Sequence, residues 1–320
     1  MIFGLASQGF QSPLMKSLKA VDFSPGGGLA TFDDAIAALL GGLVYVNVHT
    51  QANPGGEIRG QLGAVTLRSV MSAGQEPAMP VSSATGNTMT VIDAEQTQIG
   101  VTLNVMGLQN ITAAHYHVGV VGMNGPVIFG LAGAPFPSPL VKVLKAGDLS
   151  PQAPQGINTF NDAINAMLSG RAYVNVHSMA NPGGEIRGQV GPVQLKATLN
   201  GMSESPPVVT LGSGTATFAI DGAQSTITVK LSTMSLTNIT AAHIHVGPTM
   251  MNGPIIFGLA SQPFASPLVK VLGVSDLTVQ MAKGINTFAD AVNALLSQAA
   301  YVNVHTMANP GGEIRGQITP

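Results

Sequence analysis

Residues 301–317 read YVNVHTMANPGGEIRGQ, and nearly the same run occurs at residues 45–61 and 173–189. The three copies are identical at 15 of 17 positions, and their starting positions are evenly spaced along the chain. In each copy a Val-x-Val alternation leads into the turn sequence Asn-Pro-Gly-Gly, and a second short run, Glu-Ile-Arg-Gly-Gln, follows. This order predicts two antiparallel strands joined by a turn.

A second repeated block lies upstream of this hairpin. ITAAHYHVG at 111–119 returns as ITAAHIHVG at 239–247, at the same interval as the hairpin copies. Before the second copy, the alternating runs TATFAI at 215–220 and TITVKL at 226–231 flank the dipeptide Asp221-Gly222, which is typical of a β-hairpin. An Asn-Gly-Pro turn and a proline-containing segment follow each block, so most of the repeat is predicted to be antiparallel β structure.

One helix is expected late in each repeat. Thr159 and Asp162 are spaced as a capping box, and the apolar residues Ala163, Ile164 and Met167 follow with helical periodicity. Equivalent helices are expected to begin at Thr31 and Thr287.

The length of the repeat sets the domain organisation. The interval is too long for a solenoid of small repeats, so each interval is expected to be one domain. Residues 65–192 and 193–320 form two full repeats, here called the second and third, whereas residues 1–64, the first repeat, match only the back half of a unit. Either the chain is a fragment of a longer one, or another chain completes this half. The predicted fold is mainly β, with tandem antiparallel β-sandwich domains that each contain one short inserted helix.

Composition excludes several classes of protein. Charged residues make up 9% of the chain and the net charge is −2, so no basic surface is available for nucleic acid. The absence of cysteine excludes disulfides and thiolate metal sites. The longest apolar run, residues 35–48, is interrupted by two glycines and is shorter than a membrane-spanning helix requires, so no membrane span is predicted.

All seven histidines lie in the repeated blocks. Residues i and i+2 of a strand share a face, so each H-x-H pair presents two imidazoles together. A third histidine follows each pair at the same separation in both full repeats and is expected on a neighbouring strand. Imidazole suits copper and zinc, so three such nitrogens predict a metal site with an open fourth position. The candidate ligands are His115, His117 and His177 in the second repeat, His243, His245 and His305 in the third, and His49 in the first.

Two further interpretations concern the surroundings of these histidines. We expect the histidines to occupy the outer faces of their strands, beneath the proline-containing segment and its helix. The recurring Glu and Arg of the closing strand are read as turn-anchoring groups (Glu57, Arg59, Glu185, Arg187, Glu313 and Arg315). A structural role in hydrogen bonding remains the alternative to metal binding for the histidines.

The blocks AAHIHVGPTMMNGPIIFGL at 241–259 and YVNVHTMANPGGEIRGQI at 301–318 closely resemble the CHRD domain, named after chordin. The resemblance extends over both full repeats and the half repeat. It implies an extracellular or cell-surface location and a role without an assigned catalytic activity. It does not imply growth-factor antagonism, because the cysteine-rich modules of chordin are absent here.

A weaker likeness links the H-x-H and V-x-V-H strands to the copper side of copper–zinc superoxide dismutases. It implies copper bound by His243, His245 and His305, with Arg315 near the path of an approaching anion. The bridging histidine, the zinc-binding acidic loop and the disulfide of those enzymes have no counterpart in this sequence.

The sequence therefore predicts a secreted tandem protein with a structural, self-associating role as a homo-oligomer or polymer. Each full repeat is expected to hold copper, with zinc as the alternative metal. Two other functions stay open: a copper redox enzyme of the dismutase kind, and a soluble extracellular copper carrier.

Overall fold

The structure is a computed structural model that describes residues 1–12, 14–40, 42–133 and 135–320. Antiparallel strands, three short α-helices and seven single-turn 3₁₀-helices make up the described elements, which confirms the predicted mainly-β class. The chain divides into two compact units, one of residues 1–65 with 91–97 and one of residues 66–90 with 98–320.

The smaller unit contains a helix, α1 (Phe32–Leu40), and a two-stranded antiparallel sheet of β1 (Val44–Val48) and β2 (Ile58–Leu62). The ring of Phe3 packs against Phe23 and Phe32, with centroids 5.7 and 6.0 Å away. Ile58 is 66% exposed, whereas its counterparts in the other two repeats are fully buried.

The second repeat forms an eight-stranded sheet in the order β7-β6-β9-β10-β3-β4-β5-β8. The H-x-H strand β6 lies next to β9, which carries the third histidine, and all pairings of β6 are antiparallel. The strands are β3 (Val65–Ser72), β4 (Thr85–Ile92), β5 (Ile99–Met106), β6 (Ile111–Val118), β7 (Val127–Ala132), β8 (Leu140–Leu144), β9 (Ala172–Ser178) and β10 (Ile186–Val190).

The third repeat has the same topology, in the order β15-β14-β17-β18-β11-β12-β13-β16. Its H-x-H strand is β14 and its Y-V-N-V-H strand is β17, again side by side. The strands are β11 (Val193–Asn200), β12 (Ser213–Ile220), β13 (Ile227–Met234), β14 (Ile239–Val246), β15 (Ile255–Ala260), β16 (Leu268–Leu272), β17 (Ala300–Thr306) and β18 (Ile314–Gln317).

The late helices form where the capping boxes predict them, as α2 (Phe160–Leu168) and α3 (Phe288–Leu296). The Thr159 hydroxyl accepts a hydrogen bond from the Asp162 amide, and the Asp162 carboxylate accepts one from the Thr159 amide. Two backbone donors at the helix start are thereby satisfied.

The position of the helix differs from the expectation that it covers the histidines. The Phe160 ring of α2 packs edge-on against Phe129, with centroids 5.8 Å apart. Phe129 pairs across the sheet with Tyr116, which lies between His115 and His117 and therefore faces the opposite side. The helix thus closes the apolar core, because its buried face is apolar and matches the valine side of the strands.

Candidate metal centre

Three imidazoles converge on one face of the sheet in the second repeat. His115 and His117 project from β6, and His177 projects from the neighbouring strand β9. The Nδ1 atom of His115 lies 3.1 Å from the Nε2 atom of His177. One nitrogen from each of the three rings lies within 4.8 Å of the other two.

The third repeat reproduces this arrangement. His243 Nδ1 and His305 Nε2 are 3.1 Å apart, and His245 completes a group whose nitrogens also lie within 4.8 Å of one another. The two groups are called the three-histidine clusters from here on. The structure thus brings together six of the seven predicted ligands.

Backbone carbonyls orient two rings of each cluster. His117 Nδ1 donates to the carbonyl oxygen of Gly125 at 2.9 Å, and His177 Nδ1 donates to that of Pro182, also at 2.9 Å. A carbonyl oxygen can only accept, so Nδ1 carries the proton in the neutral ring and Nε2 keeps its lone pair. This is the arrangement by which proteins fix the tautomer of metal-binding histidines.

The second histidine of each H-x-H pair, His117 or His245, is here called the central histidine. Its Nε2 atom has no hydrogen-bond partner among the described residues. Within the described residues, Nε2 of His117 and Nε2 of His245 are both buried and unbonded. An unsatisfied buried polar atom costs about 1–3 kcal/mol, so the same unpaired nitrogen in two repeats needs a physical reason. A cation placed between the three nitrogens would satisfy it.

Burial favours the neutral form of the two imidazoles on each H-x-H strand. It lowers the pKa of His117 and of His245 to about 4, mainly because the charged ring would lose its hydration. It also lowers the pKa of His115 and His243, and in each case the neighbouring third histidine adds to the effect. The lone pairs are therefore available at neutral pH without displacing a proton from these rings.

A loop of residues 119–126, here called the covering loop, closes over the cluster of the second repeat. Its Gly125 supplies the carbonyl for His117, and the Gly125 amide donates to the Tyr173 hydroxyl at 3.0 Å. A Cβ added to Gly125 would overlap the carbonyl oxygen of Val118, so only glycine fits this turn. The glycine of the Asn-Gly-Pro turn is thus a structural requirement of this loop.

As predicted, the glutamate of the closing strand anchors the turn after the third histidine. The Glu185 carboxylate accepts hydrogen bonds from the hydroxyls of Ser178 and Ser82. The Ser178 hydroxyl in turn accepts from the Asn181 amide at 3.1 Å. These contacts hold Pro182, whose carbonyl orients His177.

The arginine of the closing strand does not face an open channel, which corrects the expectation from the dismutase likeness. Arg315 is only 1% exposed. Its guanidinium donates to the backbone carbonyls of Pro248 and Met251 at 3.0 and 2.9 Å. An arginine used in this way anchors a loop and cannot guide an incoming anion.

His49 shares the local geometry of its counterparts but belongs to neither three-histidine cluster. Its Nδ1 donates to the carbonyl of Pro54 at 2.9 Å, as the equivalent atoms do in the full repeats. The sequence reasoning missed Tyr173 and Tyr301, whose rings stack on the central histidines at 4.9 and 4.8 Å. Their i, i+2, i+4 spacing with Asn and His was the available signal.

Comparison with known families places the chain. The two full repeats share one β topology and one three-histidine arrangement, which defines a tandem β-domain protein. The CHRD domain model matches residues 4–62, 67–190 and 195–318, and the chain therefore belongs to the CHRD family. CHRD domains occur in extracellular proteins.

Neither the curated proteins nor the solved structures contain a match to this chain. Across the described residues, no helix has both the length and the apolar character needed to cross a membrane.

Proposed function

We propose that this CHRD protein is an extracellular or cell-surface metal-binding module that holds one copper or zinc ion in each full repeat. The observation that carries the proposal is the buried, unbonded Nε2 atom of His117, repeated at His245. Each of these atoms sits within a cluster whose other nitrogens are already gathered around it.

The donor set fits such an ion. In a tetrahedral site with metal–nitrogen bonds of about 2.0–2.1 Å, the ligating nitrogens lie about 3.3 Å apart. The 3.1 Å separation of His115 Nδ1 and His177 Nε2 is close to that value. Three imidazole nitrogens suit copper or zinc and leave a fourth position for water or another ligand.

The ion would hold together two strands that are distant in sequence. His117 Nε2 and His177 Nε2 would contribute from β6 and β9, with His115 through Nδ1. A bound copper or zinc ion would supply Lewis acidity there, and the protein supplies orientation through the carbonyls of Gly125 and Pro182. Because Arg315 is buried, the redox-enzyme alternative has no arginine at the approach of an anion and rests on the histidines alone.

Self-association forms the second part of the proposal and is supported by the smaller unit. Ile58 is exposed there on the sheet face that carries the valines of β1, and Leu43, just before β1, is 76% exposed. Exposed apolar side chains on a two-stranded sheet are typical of surfaces that associate. A structural role in a secreted assembly fits this surface.

Metal content tests the first part directly. Protein loaded with Cu(II) or Zn(II) and then dialysed at neutral pH should retain two ions per chain by elemental analysis. His117→Ala should reduce this to one, the double variant with His245→Ala to none, and the control His49→Ala should leave two. No retained ion in the parent protein would contradict metal binding.

A further inference from the structure

Within the part of the chain that the structure describes, the arginine of the closing strand is buried without a salt bridge in both full repeats. Arg187, like Arg315, is 1% exposed. Its guanidinium donates to the carbonyl oxygens of Met123 and Val120 in the covering loop, at 2.9 and 2.8 Å. Burying a charged group is costly unless it is paired or hydrogen-bonded, and here the two loop carbonyls and the nearby Glu76 carboxyl offset that cost.

The same guanidinium lies against the tyrosine that supports the central histidine. The Arg187 carbon Cζ is 3.4 Å from the centroid of the Tyr173 ring. The Tyr173 ring stacks on His117 with an interplanar angle of 7°. In the third repeat Arg315, Tyr301 and His245 form the same three-layer stack, with an angle of 4° between the two rings.

The covering loop and Tyr173, both of which Arg187 contacts, meet at the backbone of Gly125. The covering loop that Arg187 holds carries Gly125, whose carbonyl fixes His117 and whose amide is bound by the Tyr173 hydroxyl. The arginine therefore acts on His117 in two ways, through the position of the carbonyl on Nδ1 and through the tyrosine ring on its face. Together these determine where Nε2 points.

In the first repeat, the arginine–tyrosine contact forms although its histidine belongs to neither three-histidine cluster. Arg59 lies 3.5 Å above the ring of Tyr45, so the arginine–tyrosine contact forms within the hairpin alone. His49 in this unit belongs to neither three-histidine cluster. The stack is thus a local property of the repeated sequence, and in the full repeats a histidine from the H-x-H strand packs on its other side.

We propose that Arg187 and Arg315 are positioning residues of the three-histidine clusters, acting through Tyr173 and Tyr301 and through the covering loop and its counterpart in the third repeat. This inference rests on the proposed function. A lysine could not replace them, because only the planar guanidinium reaches two separate carbonyls while it stacks on a ring.

Copper binding in a single cluster tests this. The full-length variant His243→Ala/His305→Ala retains only the cluster of the second repeat, and the probe is Cu(II) alone. In this background Arg187→Lys should weaken Cu(II) affinity about 10- to 100-fold, as changes in groups that orient metal ligands do. The electron paramagnetic resonance spectrum of the bound copper should also change. Arg59→Lys is the matched control and should alter neither.

The outcomes separate the two claims. Unchanged affinity and spectrum in folded Arg187→Lys would overturn the positioning role, even if the melting temperature falls. Should Arg187→Lys fail to fold, Arg187→Met decides instead, because it removes both carbonyl contacts and the cation over the ring without burying an unpaired charge. A weakened affinity in that variant supports the role, and an unchanged one overturns it. A parent background that binds no Cu(II) would overturn the proposed function, and this inference with it.

Discussion

Glu76 is a carboxyl side chain that is buried in the second repeat. It is only 3% exposed, and its Oε1 atom has no hydrogen-bond partner among the described residues. Burial raises the pKa of Glu76 to about 7, against the attraction of the nearby Arg187 charge. Glu204 is the equivalent residue of the third repeat, and there the Asn303 amide donates to both carboxylate oxygens, at 2.9 and 3.1 Å.

The raised pKa predicts that the difference in stability between the wild-type protein and Glu76→Gln depends on pH. Between pH 4.5 and 7 the folded state binds more protons at Glu76 than the unfolded state, so this residue's contribution to stability is lost as pH rises. Relative to that of the wild type, the free energy of unfolding of the variant should rise by about 2–3 kcal/mol between pH 4.5 and pH 8. Urea denaturation of the metal-free proteins at both values measures it. A constant difference would contradict a protonated native carboxyl.

The covering loop is the element on which the cluster of the second repeat depends most directly. It contributes no histidine to the cluster, yet its Gly125 carbonyl orients His117 and its backbone accepts two hydrogen bonds from Arg187. Its path depends on a glycine that touches the preceding strand, where any Cβ would overlap the carbonyl of Val118. A small change in this loop should therefore reach the three-histidine cluster.

Gly125→Ala should displace the loop and reduce retained metal from two ions per chain to one. We expect a loss of about 1–3 kcal/mol in stability from the overpacking. Gly130→Ala is the matched control, because a Cβ there meets no described atom within 4 Å. Elemental analysis and urea denaturation of both variants provide the measurement. Two retained ions in Gly125→Ala would show that the loop does not position His117.

At the scale of the whole molecule, the second and third repeats are joined by a buried side chain. Gln224, in the β12–β13 turn, accepts a hydrogen bond from the Val70 amide at 3.0 Å and donates to the Gln189 carbonyl at 3.2 Å. It is 7% exposed. Its amide thus binds one backbone group on β3 and another on β10, so the tandem repeats share hydrogen bonds as well as apolar contacts.

Gln224→Ala should leave these two backbone groups unpaired and cost about 1–3 kcal/mol. Because the bonds cross between repeats, the variant should also unfold in a broader or two-step transition, measured by calorimetry. Gln194→Ala, at an exposed position, is the control and should change stability by less than about 0.5 kcal/mol. A single sharp transition at the wild-type temperature would show that Gln224 does not couple the repeats.

The exposed sheet of the smaller unit leads to a prediction about assembly. If its apolar side chains drive association, Ile58→Lys should lower the average particle mass at a given concentration, measured by light scattering. Val269→Lys adds the same charge at another exposed apolar position, 58% exposed on β16, and should have no effect. Equal masses for the two variants would assign association to another surface, or to none.

The sequence by itself determined the repeat, the strands of the central hairpin, the capped helices and the sharing of one face by each H-x-H pair. These are local properties, because alternation and capping depend on residues within about one turn or one strand. The candidate ligands of the full repeats could therefore be named from the repeated patterns alone.

Only the tertiary structure decided which groups surround those ligands. The pairing of β6 with β9 joins histidines from strands far apart in the chain, and the placement of α2 on the opposite face depends on packing with Phe129. The burial of Arg187 and its stack on Tyr173 likewise arise from contacts between separate elements. No periodicity in the chain encodes such contacts, because they depend on which surfaces exclude water together once the sheet has formed.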